Sequence, residues 1–140
     1  MIALRLVVDT NVLVSAALKS ESLQRTVLLL AMTRPARLYV TEPILEEYAE
    51  VLARRELGIR RGLRLQFLQL IHNRSQIVQP RLRLNAASDP DDNRFVECAD
   101  AALADYLITG NLRHFPRFWK ATKVVTAREF MEMAAPHLLP

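Results

Sequence analysis

The stretch R5-L-V-V-D-T-N-V-L-V-S-A-A-L18 decides how the rest of the chain is read. Its first half has the apolar run of a buried strand and its second half has the pattern of a helix. At the changeover, directly after Leu6-Val7-Val8, stands an acid, Asp9, followed by Thr10 and Asn11. An acid in that place has two readings. It can cap the helix that begins near Asn11, an interaction worth about 1 kcal/mol. It can also be a ligand group held at the end of a buried strand.

Working outward, apolar segments of strand length alternate with helical patterns. The spacing predicts strands over 3–9, 37–41, 76–79, 106–109 and 123–126. It predicts helices over 11–18, 22–33, 43–55, 60–73, 89–103 and 127–134. Thr41-Glu42-Pro43 reads as a helix start, with the cap at Thr41 or Glu42 and Pro43 in the first turn. Such β-α alternation implies a parallel sheet with helices on both faces and right-handed crossovers.

The 140 residues are expected to form one domain, 1–140. A chain of this length buries roughly two thirds of its unfolded surface and needs no covalent staple. The N-terminus reads as a first strand over 2–8 rather than a signal peptide. There is no uncharged apolar run of about 18 residues, so no membrane association is expected. The lone Cys98 fits a reducing cytoplasm. Of the 19 basic residues 3 are Lys and 16 are Arg, and the net charge is +4. Arg binds phosphate in a bidentate manner, so the balance is compatible with nucleic acid without demanding it.

In an open α/β sheet, ligands bind beyond the carboxyl ends of the strands. Asp9 lies at such an end, and Thr109-Gly110-Asn111 occupies the equivalent place after the strand at 106–109. In the helix from Asp89, the stripe of Phe95, Val96, Ala99 and Leu103 also contains Asp92, one turn upstream, so its carboxylate is expected to point inward. Asp89 and Asp91 do not share that direction and suit the positive end of the helix. In the helix 43–55, Ile44, Tyr48, Val51 and Leu52 mark the apolar face. Glu46 and Glu50 lie nearly opposite, and Glu47 lies at the border. Glu47 is therefore either an acid reaching over the sheet edge toward Asp9 or a solvated flank residue, paired with Arg54 or an early-turn amide.

Three carboxylates from separate elements, meeting at one sheet edge, would select a hard divalent ion such as Mg²⁺ or Mn²⁺. Without Cys or His ligand pairs, zinc is not expected. Carboxylate-held Mg²⁺ commonly serves phosphate chemistry, so the residues point to metal-dependent phosphodiester hydrolysis.

Four pieces of the chain, VVDTNVLVSA (7–16), EPILEEYAEVLAR (42–54), SDPDDNRFVECADAALADYLITGN (88–111) and RHFP (113–116), resemble the PIN-domain family in family order. The resemblance is strongest to the small single-domain toxins of bacterial and archaeal toxin–antitoxin pairs. It implies a three-layer α/β/α fold around a parallel five-stranded sheet and an endoribonuclease that uses Mg²⁺ or Mn²⁺. It also implies a cognate antitoxin, a homodimer and cleavage to 5′-phosphate and 3′-hydroxyl ends. The family's acids fall on Asp9, Glu47 (with Glu46 as the competing alignment) and Asp92. Thr10, Asn11 and Asn111 would support the carboxylates by hydrogen bonds. The fourth acid of many relatives is Asn111 here, which removes one charge and weakens a second metal position. Asp105, at the opposite end of the 106–109 strand, reads better as a turn residue than as a substitute.

Arg54, Arg55, Arg60, Arg61 and Arg64 form one basic cluster. Arg113, His114, Arg117 and Lys120, interleaved with Phe115, Phe118 and Trp119, form another. Such mixtures suit single-stranded RNA, with Arg113 or Arg117 as the phosphate contact, but aromatics anchoring a loop give the same pattern. A catalytic-base role for His114 is unnecessary where a metal activates the water. The Leu-rich helix 22–33 reads as core plus an interaction groove. Two other functions remain: a catalytically silent RNA- or protein-binding module, kept open by Asn111, and a phosphotransferase using Asp9. The latter would need a second Asp where Asn11 stands.

Overall fold

The computed structural model describes residues 3–139. Met1, Ile2 and Pro140, which the single-domain expectation includes, lie outside the described residues, as does the start of the 2–8 strand. The chain runs β1 (Arg5–Val8), α1 (Thr10–Leu18), α2 (Leu23–Ala31), β2 (Arg37–Val40), α3 (Glu42–Leu52), α4 (Arg61–Arg74) and β3 (Ser75–Ile77). It continues through α5 (Asn93–Ala102), β4 (Tyr106–Ile108), β5 (Phe118–Trp119), β6 (Thr122–Val125) and α6 (Ala127–Ala134).

The strand order is β3-β2-β1-β4-β6-β5. The first five of these pair in parallel, as the β-α alternation predicts, and β5 adds an antiparallel sixth strand at the edge. Two residues, Phe118 and Trp119, make that strand, too few to carry a periodic signal. Leu6, Val7 and Val8 are all fully buried. Successive strand residues face opposite ways, so both faces of the sheet are covered. On β1, β4 and β6 lie α2 and α6, which also touch each other; α5 lies against β1, β2 and β4 and touches α3. The result is a three-layer α/β/α arrangement. Among the described residues, no helix is long and apolar enough to cross a membrane.

Local chemistry sets the helix starts. Ser22, Thr41 and Thr126 cap α2, α3 and α6 with their hydroxyls, and Glu129 completes a capping box at α6. Pro43 follows Thr41 in the first turn of α3. The helix expected to begin at Asp89 opens with a tight turn over Pro90–Asp92, and α5 proper starts at Asn93. It ends at Leu103, which adopts the left-handed conformation with φ 53°.

From β1 the chain moves outward to β2 and β3, then returns to β4 on the other side of β1. The crevice at that reversal lies outside the carboxyl ends of β1 and β4. The residues there are Asp9 and Thr109, whose amides continue the ladder: Asp9 N–H donates to Ile108 O at 2.9 Å and Thr109 N–H donates to Val125 O at 2.9 Å.

Candidate active site

Asp9 is 4% exposed, and its two oxygens do different things. Oδ1 accepts from the Thr10 amide at 2.7 Å and so caps α1. Oδ2 accepts from the Thr109 hydroxyl at 2.7 Å. The cap and the buried strand-end acid are thus one residue. Burial pushes its carboxyl up to about 6. The Thr109 hydroxyl and the Thr10 amide oppose this, and the charges of Asp92 and Glu47 reinforce it.

Helix α3 is tied to this point by Tyr48, whose phenol donates to the carbonyl of Val8. One residue earlier, Glu47 is half-buried while Glu46 and Glu50 are exposed, as the helical wheel requires. Thr10 Oγ1 donates to Glu47 Oε2, and Arg94 Nη1 stands 3.2 Å from Glu47 Oε1. The partner of Glu47 is therefore Arg94, from α5. Arg54 instead lies 4.0 Å from Glu50, one turn away on its own helix.

Asp92 ends the turn before α5 with its side chain 17% exposed, and its Oδ2 lies 3.1 Å from His114 Nδ1. Burial raises its carboxyl above the ordinary value, the bond to His114 works against this, and Asp89 and Asp91 add to the rise. Asp89 accepts from the Asp91 amide at 3.0 Å, in keeping with a helix-start role, yet it also stands beside Asp92. Among the described residues, the carboxylates of Asp89 and Asp92 and the His114 imidazole have ligating atoms within 4.8 Å of one another.

Asp9, Glu47 and Asp92 all line one cleft of about 800 Å³, together with Thr10, Asn11, Asn111 and His114. The expected supporting residues act as follows. Thr10 bonds both Asp9 and Glu47. Asn11 does not reach a carboxylate: its amide oxygen accepts from Gly110 N–H at 3.0 Å and stitches the loop after β1 to the loop after β4. That oxygen lies 3.4 Å from where a Cβ on Gly110 would stand, so the glycine allows the close approach. Asn111 acts through its backbone amide, which donates to Thr109 Oγ1 at 3.0 Å. Asp105 lies at the opposite end of β4, accepting from Arg5 N–H at 2.7 Å.

Neither Arg113 nor Arg117 lines this cleft. Arg117 lies 3.6 Å from Glu129 on α6, so the charge of Arg117 is directed away from the acids. The aromatics next to it anchor the loop: Trp119 Nε1 and Lys120 Nζ both donate to the buried Asp100, at 3.2 and 2.7 Å. Three residues that sequence reasoning left out of the site belong to its geometry. The strand-end logic does mark Thr109-Gly110-Asn111, but it assigns the support of the carboxylates to Asn111 rather than Thr109. Arg94 and His114 carry no local signal, because their partners are distant in the chain.

The donor set fits a divalent cation. Carboxylates from three elements share one cleft, the carboxyl of the most buried of them is raised to about 6, chiefly by burial and further by its acidic neighbours, and hard oxygens outnumber the single imidazole. Both oxygens of Glu47 are already engaged, by Arg94 and Thr10, so ligation by Glu47 requires one partner to let go.

A family model described as "PIN domain" matches residues 5–113. An uncharacterized protein of Methanocaldococcus jannaschii is 29% identical over 144 aligned positions, covering 94% of this chain and 92% of that protein.

Proposed function

This chain belongs to the PIN-domain family, and we propose that it is a single-domain, Mg²⁺- or Mn²⁺-dependent endoribonuclease, the toxin of a toxin–antitoxin pair. PIN domains are generally metal-dependent nucleases. One observation carries the reading for this chain: Asp9, Glu47 and Asp92, from β1, α3 and the start of α5, line one cleft at the topological reversal of the sheet.

Asp9 and Asp92 would hold the metal, with Glu47 completing the set or orienting water. A divalent ion held there supplies an activated water and offsets negative charge on the phosphodiester. The protein's own groups keep the geometry. Thr109 and the Thr10 amide fix the two oxygens of Asp9, Thr10 Oγ1 fixes Glu47, and His114 fixes Asp92. The products would carry 5′-phosphate and 3′-hydroxyl ends. The toxin role brings with it an RNA substrate, a cognate antitoxin, a homodimer and a cytoplasmic location.

The test is cleavage of a mixed RNA pool with added Mn²⁺. Loss of cleavage on chelation and in Asp92→Asn, with the fold intact by circular dichroism, supports the assignment. A second reading, a silent RNA- or protein-binding module, is favoured by Arg94 occupying Glu47 and by Asn111 in place of an acid. RNA binding without cleavage at any Mn²⁺ concentration would select it.

A further inference from the structure

Next to the acid cleft runs a second concavity of about 790 Å³, and Arg94 lines both. Its far wall is the segment after β3, Pro80-Arg81-Leu82-Arg83-Leu84, which has no helix or strand of its own. The segment is nevertheless pinned to α5 and to the cleft. Leu84 N–H donates to Glu97 Oε2 at 2.8 Å. Ala86 and Ala87 N–H both donate to Asn93 Oδ1, at 2.9 and 2.8 Å. Ser88 N–H donates to the carbonyl of His114 at 2.9 Å.

Arg81 and Arg83 are exposed. Among the described residues neither takes part in an ion pair, whereas Arg54, Arg94 and Arg117 all do. Two acids also line the groove. Glu97 Oε2 accepts from the Leu84 amide and Glu46 is exposed; both keep their charge, so the groove's three guanidinium groups, Arg81, Arg83 and Arg94, face two carboxylates. Pro43, Pro80 and Pro90 line it as well, and their fixed φ makes those parts of the wall stiff.

We propose that this groove binds the phosphate backbone of single-stranded RNA on one side of the scissile bond, with Arg81 and Arg83 as the phosphate contacts. The proposal rests on the nuclease reading of the acid cleft. A strand whose phosphodiester lies among Asp9, Glu47 and Asp92 has to leave past one of the cleft's walls. The wall at Arg94 opens onto two exposed guanidinium groups on a pinned segment: Arg83, and Arg81, whose charge also reaches the buried Asp100. Arg94 itself, oriented by Glu47, stands where the strand crosses from one concavity to the other. Guanidinium contacts of this kind are independent of base identity.

The experiment is fluorescence anisotropy of a short labelled single-stranded RNA with full-length protein in chelator, repeated over a salt series. The double variant Arg81→Gln, Arg83→Gln is expected to bind about tenfold more weakly at low salt. The magnitude of its log–log salt slope should fall by about 1.4, at about 0.7 per phosphate contact removed. Arg128→Gln, on α6 and paired with Glu132, removes one positive charge away from the groove; it is the control for each single variant, Arg81→Gln and Arg83→Gln, and is expected to match wild type.

Unchanged affinity and slope in the double variant would overturn the proposal, and so would a loss carried by an Arg113→Gln, Arg117→Gln variant instead. Binding of a labelled polyglutamate peptide, lost in the double variant, without binding of the RNA would likewise overturn it, marking an acidic protein partner. Wild-type cleavage of RNA separates these failures from failure of the nuclease reading, because the groove can be wrong while the cleft still cleaves. Wild type that neither binds nor cleaves RNA overturns both.

Discussion

His114 Nδ1 lies 3.1 Å from Asp92 Oδ2, joining the loop after β4 to the start of α5 in the lining of the acid cleft. The pair is 22 residues apart in sequence, and both residues line the cleft with Glu47. Removing the imidazole takes away the partner that orients Asp92. His114→Ala is expected to lower Mn²⁺ affinity and RNA cleavage by about 10- to 100-fold. Mn²⁺ titration followed by electron paramagnetic resonance gives the affinity directly. An affinity equal to wild type would show that His114 neither ligates nor positions.

Asp9 carries a stability prediction whose sign follows from its burial. Its folded value, about 6, lies above the ordinary carboxylate value. The native state therefore binds more protons than the unfolded chain between about pH 4 and 6. The contribution of this group to stability is whole below about pH 4 and is lost as pH rises through 6. In chelator at pH 7.5, Asp9→Asn is expected to melt higher than wild type, by up to roughly 2–3 kcal/mol. The difference should vanish below about pH 4. Thermal melts across that range check it, and a variant that is less stable at pH 7.5 would refute the electrostatic account.

Asn93 clamps two backbone amides with one oxygen, and the Ala87 end is buried. Asn93→Ala strands both donors, at about 1–3 kcal/mol for each that stays dry. The expected outcome is a loss of about 2–3 kcal/mol in urea unfolding. The Ala86 and Ala87 amides should also exchange faster with solvent than those of β1, which hydrogen exchange measures residue by residue.

Leu103 ends α5 in a left-handed conformation while 69% exposed. A side chain there costs conformational energy and gains little burial. Leu103→Gly is expected to stabilise the protein by about 0.5–1 kcal/mol and leave RNA cleavage unchanged. A lower melting temperature would mean that the leucine packs against something more than its exposure suggests.

Cys98 is fully buried, and burial pushes its thiol up to about 12. It is expected to resist alkylation in the native protein and to react fully in denaturant, as intact-mass spectrometry would show.

Much of the fold was legible because its determinants are local. The run Leu6-Val7-Val8, the caps at Thr41 and Thr126, and the Pro43 start each act within about one turn of chain. The helix over 127–134 is observed with those bounds, and the 60–73 helix forms despite a Leu63-Leu65-Phe67 pattern that also suits a strand. The six-stranded edge was not legible: Phe118 and Trp119 pair with β6 through a contact only the folded chain supplies. Nor was the 84–88 segment, whose order comes from Asn93, Glu97 and His114 rather than from its own residues.

The sequence alone determined that Asp9 would stand at the end of a buried strand, that Asp92 would head a helix, and that Glu47 would flank an apolar face. Periodicity and capping are short-range, and they place each acid on its own element. The tertiary structure decided what each acid meets. Glu47 meets Arg94 and Thr10, Asp92 meets His114, Asp9 meets Thr109 across 100 positions, and Asn11 meets Gly110. The Asp9–Thr109 and Asn11–Gly110 pairings depend on the crossover that brings β4 beside β1, the others on how α1, α3 and α5 pack, and partners chosen by tertiary packing leave no trace in local pattern.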